Sequence, residues 1–492
     1  MREFVSTRNV KDIVSSKQAI IEGLAKDGGL YTPLDLSDIK VNIKECIDMD
    51  YQQLATHIIS LIFNDFTKEE IKECVFNAYG NTFSDSEVTP LSKIGKDYLL
   101  ELYHGPTSAF KDVALTLLPH LLKTAYKSHG LNSKVYILTA TSGDTGKAAL
   151  EGFKNVEDTF ITVFYPKNGV SEIQEKQMNT TLGNNVEVVS IVGNFDDCQR
   201  LVKNIYESKE VSEHCKNVQL SSANSINIGR LVPQIVYYFK AYANLLKTTE
   251  IKENEKVNFV VPTGNFGNIL AGYLAKQLGC PIEKLVCASN SNNVLTDFIN
   301  TGVYDRNREF YSTISPSMDI LVSSNLERLL FILSDYDDAK IKGYMEDLKT
   351  KGVYQVDSNI LDKIKENFVA MYANDETSRK VIKEAFVDDN RLIDPHTAIA
   401  YYASKKFDNG LKNIVLSTAS PYKFSNSVFN AITDTFVNNE FQAMNELNKF
   451  SNEEIPSNLK NIVDLEVLHN KTINFEQGMD LVIERIKKLN ND

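Results

Sequence analysis

Two hydrophobic periods divide the chain. Early on, apolar side chains return every three or four positions, as in Tyr51 to Phe63 and Lys68 to Tyr79, which predicts amphipathic helices joined by polar turns. From Leu99 onward the pattern changes to short apolar runs separated by helix-length segments. Val135 to Thr139, Phe160 to Tyr165 and Val186 to Val192 form a first group of predicted strands; Val218 to Ser222, Val257 to Pro262, Leu285 to Ala288 and Ile414 to Ser417 form a second. Runs that are apolar at nearly every position belong to strands covered on both faces, and alternation with helices implies parallel sheets. The chain therefore reads as α/β, with two α/β domains built on parallel-rich sheets. The expected division is a helical amino-terminal region over residues 1–95, a smaller α/β domain over 96–225 and a larger one over 226–492. The polar, helix-rich stretch from 291 to 390, with charged segments such as Asp357 to Phe368, elaborates the larger domain.

Composition narrows the class. At 492 residues the chain exceeds what one core can serve, and 42% hydrophobic with 24% charged residues is ordinary for a soluble globular protein. A net charge of −12 without a basic stripe argues against a nucleic-acid partner, while small anions held by local donors remain open. The six cysteines form no Cys-x-x-Cys pair and no histidine cluster accompanies them, so no metal is expected and the thiols read as reduced. Glu3 and Asp12 lie where a signal peptide would need an apolar core, and no apolar run approaches bilayer length. A cytoplasmic enzyme, monomeric or a small homo-oligomer with no membrane partner, is the expectation.

Candidate chemistry begins at His104-Gly105-Pro106-Thr107-Ser108-Ala109-Phe110-Lys111-Asp112. The predicted strand Tyr98 to Tyr103 is broken by Gly105-Pro106, and Thr107 or Ser108 can cap a helix carrying Val113, Ala114, Leu117 and Leu118 at helical spacing. Lys111 then lies in a first helical turn, where the helix dipole and partial burial favour a neutral, nucleophilic amine suited to a Schiff base; a solvated surface lysine is the plain alternative. Pro119 falls inside the same helical pattern and predicts a kink or break.

Three further corners join a strand to a helix. Thr139 to Lys147 contains Ser142-Gly143-Asp144-Thr145-Gly146, whose N–H groups and hydroxyls can converge on an anion; a nucleotide P-loop is excluded because Thr141 and Ala148 stand where that motif needs Gly and Ser or Thr. Lys147 reads as a solvated helix residue. Pro262 to Asn268 has Gly264 and Gly267 three apart, so it is not a dinucleotide fingerprint; a phosphate loop and a structural turn both fit. Asn224-Ser225-Ile226-Asn227-Ile228-Gly229-Arg230 precedes a long apolar helix and offers amides, a hydroxyl and a guanidinium, as a substrate site or as a surface cap. Ser171-Glu172-Ile173-Gln174 reads as a capping box.

The segment His104 to Asp112 resembles the pyridoxal-phosphate lysine motif of threonine synthases, with Tyr103 in place of the usual Phe. Phe4 to Arg8 and Gly23 to Pro33 also resemble the opening of that family, Asn9 standing where it usually has Gly, and Asp27 is a secondary catalytic candidate. The resemblance extends in order to Phe424. It implies a tryptophan-synthase-like, fold type II enzyme with pyridoxal 5'-phosphate on Lys111, between two α/β domains. Gly264, Asn265, Phe266, Gly267 and Asn268 are then cofactor-phosphate binders, and Thr418, in Thr418-Ala419-Ser420-Pro421-Tyr422-Lys423-Phe424, meets the pyridine nitrogen. Ser420 replaces the His often found in that segment. Ser142, Asp144, Thr145, Ser225, Asn227 and Arg230 fall to the substrate. The implied reaction converts O-phosphohomoserine and water to threonine and phosphate. A lyase releasing 2-oxobutyrate and a non-catalytic anion-binding regulator remain as alternatives.

Overall fold

Two sheets carry the structure, a computed structural model that describes residues 2–130, 133–141 and 143–491. The larger sheet has six strands in the order Phe368–Tyr372, Ile282–Ser289, Val257–Pro262, Asn413–Ser417, Asp97–Glu101 and Leu91–Ile94. Its neighbours are parallel except at the last pair, where Leu91–Ile94 runs antiparallel to Asp97–Glu101. The smaller sheet has five strands, all parallel, in the order Lys471–Asn474, Val186–Val192, Thr159–Pro166, Lys134–Ala140 and Val218–Ser221.

Alternation within each strand explains the layering. Phe259 and Val261 enter one core while Val260 enters another, on the opposite face, with Ala398, Ile399 and Ala403 of helix Pro395–Lys406. In the smaller sheet Ile137 and Ile161 join the first core, whereas Tyr136, Phe164 and Val189 pack with the helices Phe195–Glu207 and Gly478–Asn491. The first core thus receives the inner faces of both sheets, and the helices Leu118–Ser128 and Ile235–Lys247 contribute to it.

The sheets do not follow the linear boundaries read from the sequence. Asp97–Glu101, just past the first boundary, pairs with Asn413–Ser417 in the larger sheet, while Lys471–Asn474 crosses back to edge the smaller one. Strand pairing is set by exposed backbone donors and acceptors rather than by sequence proximity. The amino-terminal region contains the expected helices Tyr51–Ile62 and Lys68–Tyr79, and also a three-stranded antiparallel sheet of Asn9–Val14, Phe4–Ser6 and Tyr31–Pro33. Pro119 breaks its helix as expected: Lys111–Leu115 ends, and Leu118–Ser128 begins with the proline in its first turn, where the missing N–H has no partner to lose. The capping box at Ser171 is present. Asp357 to Phe368 divides into a helix, Ser358–Asn367, and the start of the edge strand Phe368–Tyr372.

Candidate active site

All the candidate loops leave the carboxyl ends of parallel strands, where α/β sheets place ligands. Past Asp97–Glu101 the chain turns through Gly105-Pro106, and Ser108 adopts a left-handed conformation with φ of 59°. The Ser108 carbonyl accepts the Ser420 N–H at 3.0 Å, and the Phe110 N–H donates to the Thr418 carbonyl at 2.8 Å. Ala109 and Ala419 are antiparallel bridge partners. The lysine loop and the Thr418 segment are therefore joined backbone to backbone. Neither Thr107 nor Ser108 caps the helix; Phe110 occupies that position without a side-chain bond. Thr107 instead gives its N–H and its hydroxyl to the Asp112 carboxylate at 2.8 and 2.6 Å. Burial pushes the Asp112 carboxyl up to about 6 despite those donors.

The Lys111 ammonium lies 3.8 Å from Asp144. Burial lowers its pKa to about 8, opposed by the Asp144 charge and reinforced by Lys423 and Arg230. Asp144 begins the helix Asp144–Phe153 and is itself buried. Burial opposes its ionisation, yet the Lys423 and Lys111 ammoniums and the Gln174 amide hold it far below the usual carboxylate range. Lys423, fully buried, reaches Asp144 at 2.7 Å and the Thr107 carbonyl at 2.9 Å. Asp144 also accepts the Gln174 amide at 2.9 Å and the Ser317 hydroxyl at 3.3 Å. Gly143 is required here: its φ is 133°, and a Cβ would fall 2.3 Å from the Gln174 side chain.

Of the remaining residues in this corner, Thr145 is half-buried in the first turn of the Asp144 helix, and Ser142 lies outside the described residues. Two N–H groups of the loop, those of Gly143 and Gly146, are taken by the Thr141 hydroxyl at 2.9 and 2.8 Å. Lys147 is not solvated; it is buried against Glu151 at 2.6 Å and Thr181 at 2.9 Å, because its helix packs between sheet and neighbouring helix.

The Gly264 corner differs in having donors to spare. Phe266 is buried in a left-handed conformation and opens the helix Gly267–Gln277, whose first amides have no helical acceptor. A Cβ on Gly264 would lie 2.9 Å from the Ser317 carbonyl, so only glycine lets the backbone pass. Asn265 is exposed, and Asn268 accepts the Tyr237 and Tyr238 hydroxyls at 2.6 and 3.0 Å while its buried amide nitrogen has no partner. A Cβ on Gly267 would meet the Asn325 and Gln234 side-chain nitrogens at 3.5 and 3.9 Å, so two further amides lie beside the helix start. This set fits a phosphate group.

In the third corner Asn227 caps Ile228–Leu231 through the Gly229 N–H at 2.9 Å and donates to the Ile20 carbonyl at 3.0 Å, so its amide is committed within the protein. Ser225 is half-buried. Arg230 is 4% exposed, donates to the Ala223 carbonyl at 2.8 Å, leaves its Nε unpartnered, and forms no ion pair among the described residues. Burial lowers its pKa to about 10. Asp27 is exposed and accepts the Ser6 hydroxyl and the Gly29 N–H, as a turn residue does.

Several residues here had no signal in the sequence. Lys423 lies in the Thr418 to Phe424 segment, where nothing local marks it as the partner of Asp144. His396 bridges Asp394, at 2.6 Å, and the Ser317 N–H, at 3.3 Å; Asn458 holds the lysine loop through the Ser108 hydroxyl at 3.0 Å and the Pro106 carbonyl at 2.7 Å. Each is a single polar residue far along the chain.

A largely buried lysine of lowered pKa and a glycine-rich helix start, both following strands of one mostly parallel sheet, fit a pyridoxal-phosphate-dependent enzyme. Residues 87–417 match the family described as pyridoxal-phosphate dependent enzyme, residues 3–79 the threonine synthase N terminus, and residues 397–471 the threonine synthase C-terminal family. The threonine synthase of Saccharomyces cerevisiae is 38% identical over 463 residues, covering 87% of this chain and 88% of that one. That of Pseudomonas aeruginosa is 37% identical over 430 residues, covering 86% and 89%. The crystal structure of the pyridoxal-phosphate-bound threonine synthase from Brucella melitensis superposes with a TM-score of 0.89 at 34% identity, covering both chains completely. The chain belongs to the threonine synthase family.

Proposed function

We propose that this enzyme converts O-phosphohomoserine and water to threonine and phosphate. The observation that carries the substrate is Arg230: a buried guanidinium without a carboxylate is costly unless an anion joins it, and it lies close enough to Lys111 to depress that amine. A phosphate ester held by Arg230 and Ser225 supplies that anion next to the reacting lysine. Thr145 and Ser142, from the Thr139 to Lys147 segment, complete the assignment.

The cofactor phosphate is assigned to Gly264 through Asn268 and the ring nitrogen to Thr418. When bound, pyridoxal phosphate supplies an electron sink for negative charge on the substrate carbons. Lys111 Nζ takes and returns protons at the α and β carbons. A pKa near 8 lets it serve both as amine and as ammonium close to neutral pH, and Asp144 stabilises the ammonium it becomes. The arriving phosphate dianion offsets Arg230 and so makes Lys111 a stronger base once substrate is seated. After the γ-phosphate departs, Arg230 and Ser225 retain it where it can accept the proton of water adding at the β carbon.

Six free cysteines favour a reducing compartment, in keeping with a cytoplasmic enzyme, and no described helix is long and apolar enough to cross a membrane. The test is a product assay on purified, cofactor-loaded protein given O-phosphohomoserine. Threonine and phosphate in equal amounts are expected; mainly 2-oxobutyrate would make it a lyase, and no turnover a regulator.

A further inference from the structure

The two anion corners are tied to one another by a pair of residues outside both. Asn325, fully buried before the helix Leu326–Leu333, shares its amide nitrogen between the Ser225 carbonyl at 3.2 Å and the Asn265 carbonyl at 3.1 Å. Its own N–H also donates to Asn265, at 3.1 Å. Its amide oxygen accepts from Arg328 at 2.5 Å, and the same guanidinium donates to the Ile226 carbonyl at 2.5 Å and the Tyr31 carbonyl at 2.9 Å.

Arg328 is fully buried and satisfied only by carbonyl and amide oxygens; the neighbouring Glu327 is taken by Arg8, with two contacts of 2.8 Å. A rigid planar fork is the side chain that can hold three acceptors at fixed angles, which a lysine cannot. Nearby, Ser323 donates to the Gly264 carbonyl at 2.7 Å. The short stretch from 323 to 328 therefore holds carbonyl groups of both loops.

We propose that Asn325, oriented by Arg328, is a positioning residue that fixes the spacing between the cofactor-phosphate loop and the substrate-phosphate loop, so that both anion affinities depend on it together. The inference rests on the loop assignments above. It predicts paired effects, because one donor serves two carbonyls.

In the holoenzyme, Asn325→Ala should weaken pyridoxal-phosphate retention, read by absorbance titration, and inorganic-phosphate binding to the remaining loop, read by calorimetry, each by roughly three- to tenfold. KM for O-phosphohomoserine should follow, while kcat at saturating cofactor and substrate stays within about twofold, since the reacting groups are untouched. Asn325→Asp keeps an oxygen for Arg328 and removes the shared donor; it should give the same paired shift without opening a cavity. A folded variant of either kind that moves one affinity alone, or neither, overturns the proposal. Wild-type protein that makes no threonine sinks the substrate assignment instead, and the cofactor and inorganic-phosphate titrations still decide the role of Asn325.

Discussion

The lysine side of the site and the anion side handle buried charge in opposite ways. Lys111, Lys423 and Asp144 form a closed set, with the carboxylate between two ammoniums and every Asp144 oxygen engaged. Arg230 is also buried, yet it forms no ion pair among the described residues and its Nε has no partner. The first arrangement is complete without a ligand and tunes one amine. The second holds positive charge in reserve, which is how a protein recognises an anion that it must also release.

The largest break in this comparison is Lys111→Ala. Removing the proton-carrying amine should lower kcat on the order of 10³-fold or more, and borohydride-treated protein should no longer carry a pyridoxyl mass at position 111 on peptide mapping. A label retained on another lysine would move the chemistry elsewhere. On the anion side, Arg230→Ala should lower kcat/KM by about 10- to 150-fold, the worth of a charge-assisted hydrogen bond, and raise the share of 2-oxobutyrate through early loss of phosphate. Chromatography of both products checks this; unchanged rate and product ratio would remove Arg230 from the substrate site.

Gly264→Val should weaken cofactor retention by roughly tenfold through overpacking against the Ser317 carbonyl, with little change in phosphate binding at the other loop. Equilibrium dialysis decides it, and normal retention would show that the backbone can give way. The smallest effects are in pH. In cofactor-free protein, the acylation rate of Lys111 should rise with pH and level off above about 8. Asp144→Asn removes a charge that raises this pKa, so the profile should move to lower pH. Arg230→Ala removes one that lowers it, so the profile should move to higher pH. Shifts of the same sign in both variants would refute the electrostatic division.

What could be read from sequence follows from the same contrast. Strands buried on both faces announce themselves as apolar runs, and Val186–Val192 and Val257–Pro262 match their predicted bounds. Leu91–Ile94 and Lys471–Asn474 are edge strands with exposed or half-buried positions, so no run marks them; Phe4–Ser6 and Tyr31–Pro33 are too short to show a period, and Asn9–Val14 buries neither face fully. The lysine and phosphate corners carry local motifs because turns and helix starts need particular residues. The pairing of Asp144 with Lys423, the bracket of Asn325 and Arg328, and the Asn458 latch depend on residues brought together only by the fold, and no spacing encodes them.

The pairing of Asp97–Glu101 with Asn413–Ser417 has a consequence for how the chain is made. It closes a loop of roughly 300 residues, so the centre of the larger sheet cannot zip while the ribosome is still translating that interval. The lysine loop, stitched to residues 418–420 and latched by Asn458, is among the last parts to settle. A nascent or prematurely terminated product therefore carries the reactive lysine without the surroundings that depress its pKa, and catalytic competence arrives in one late step rather than by degrees.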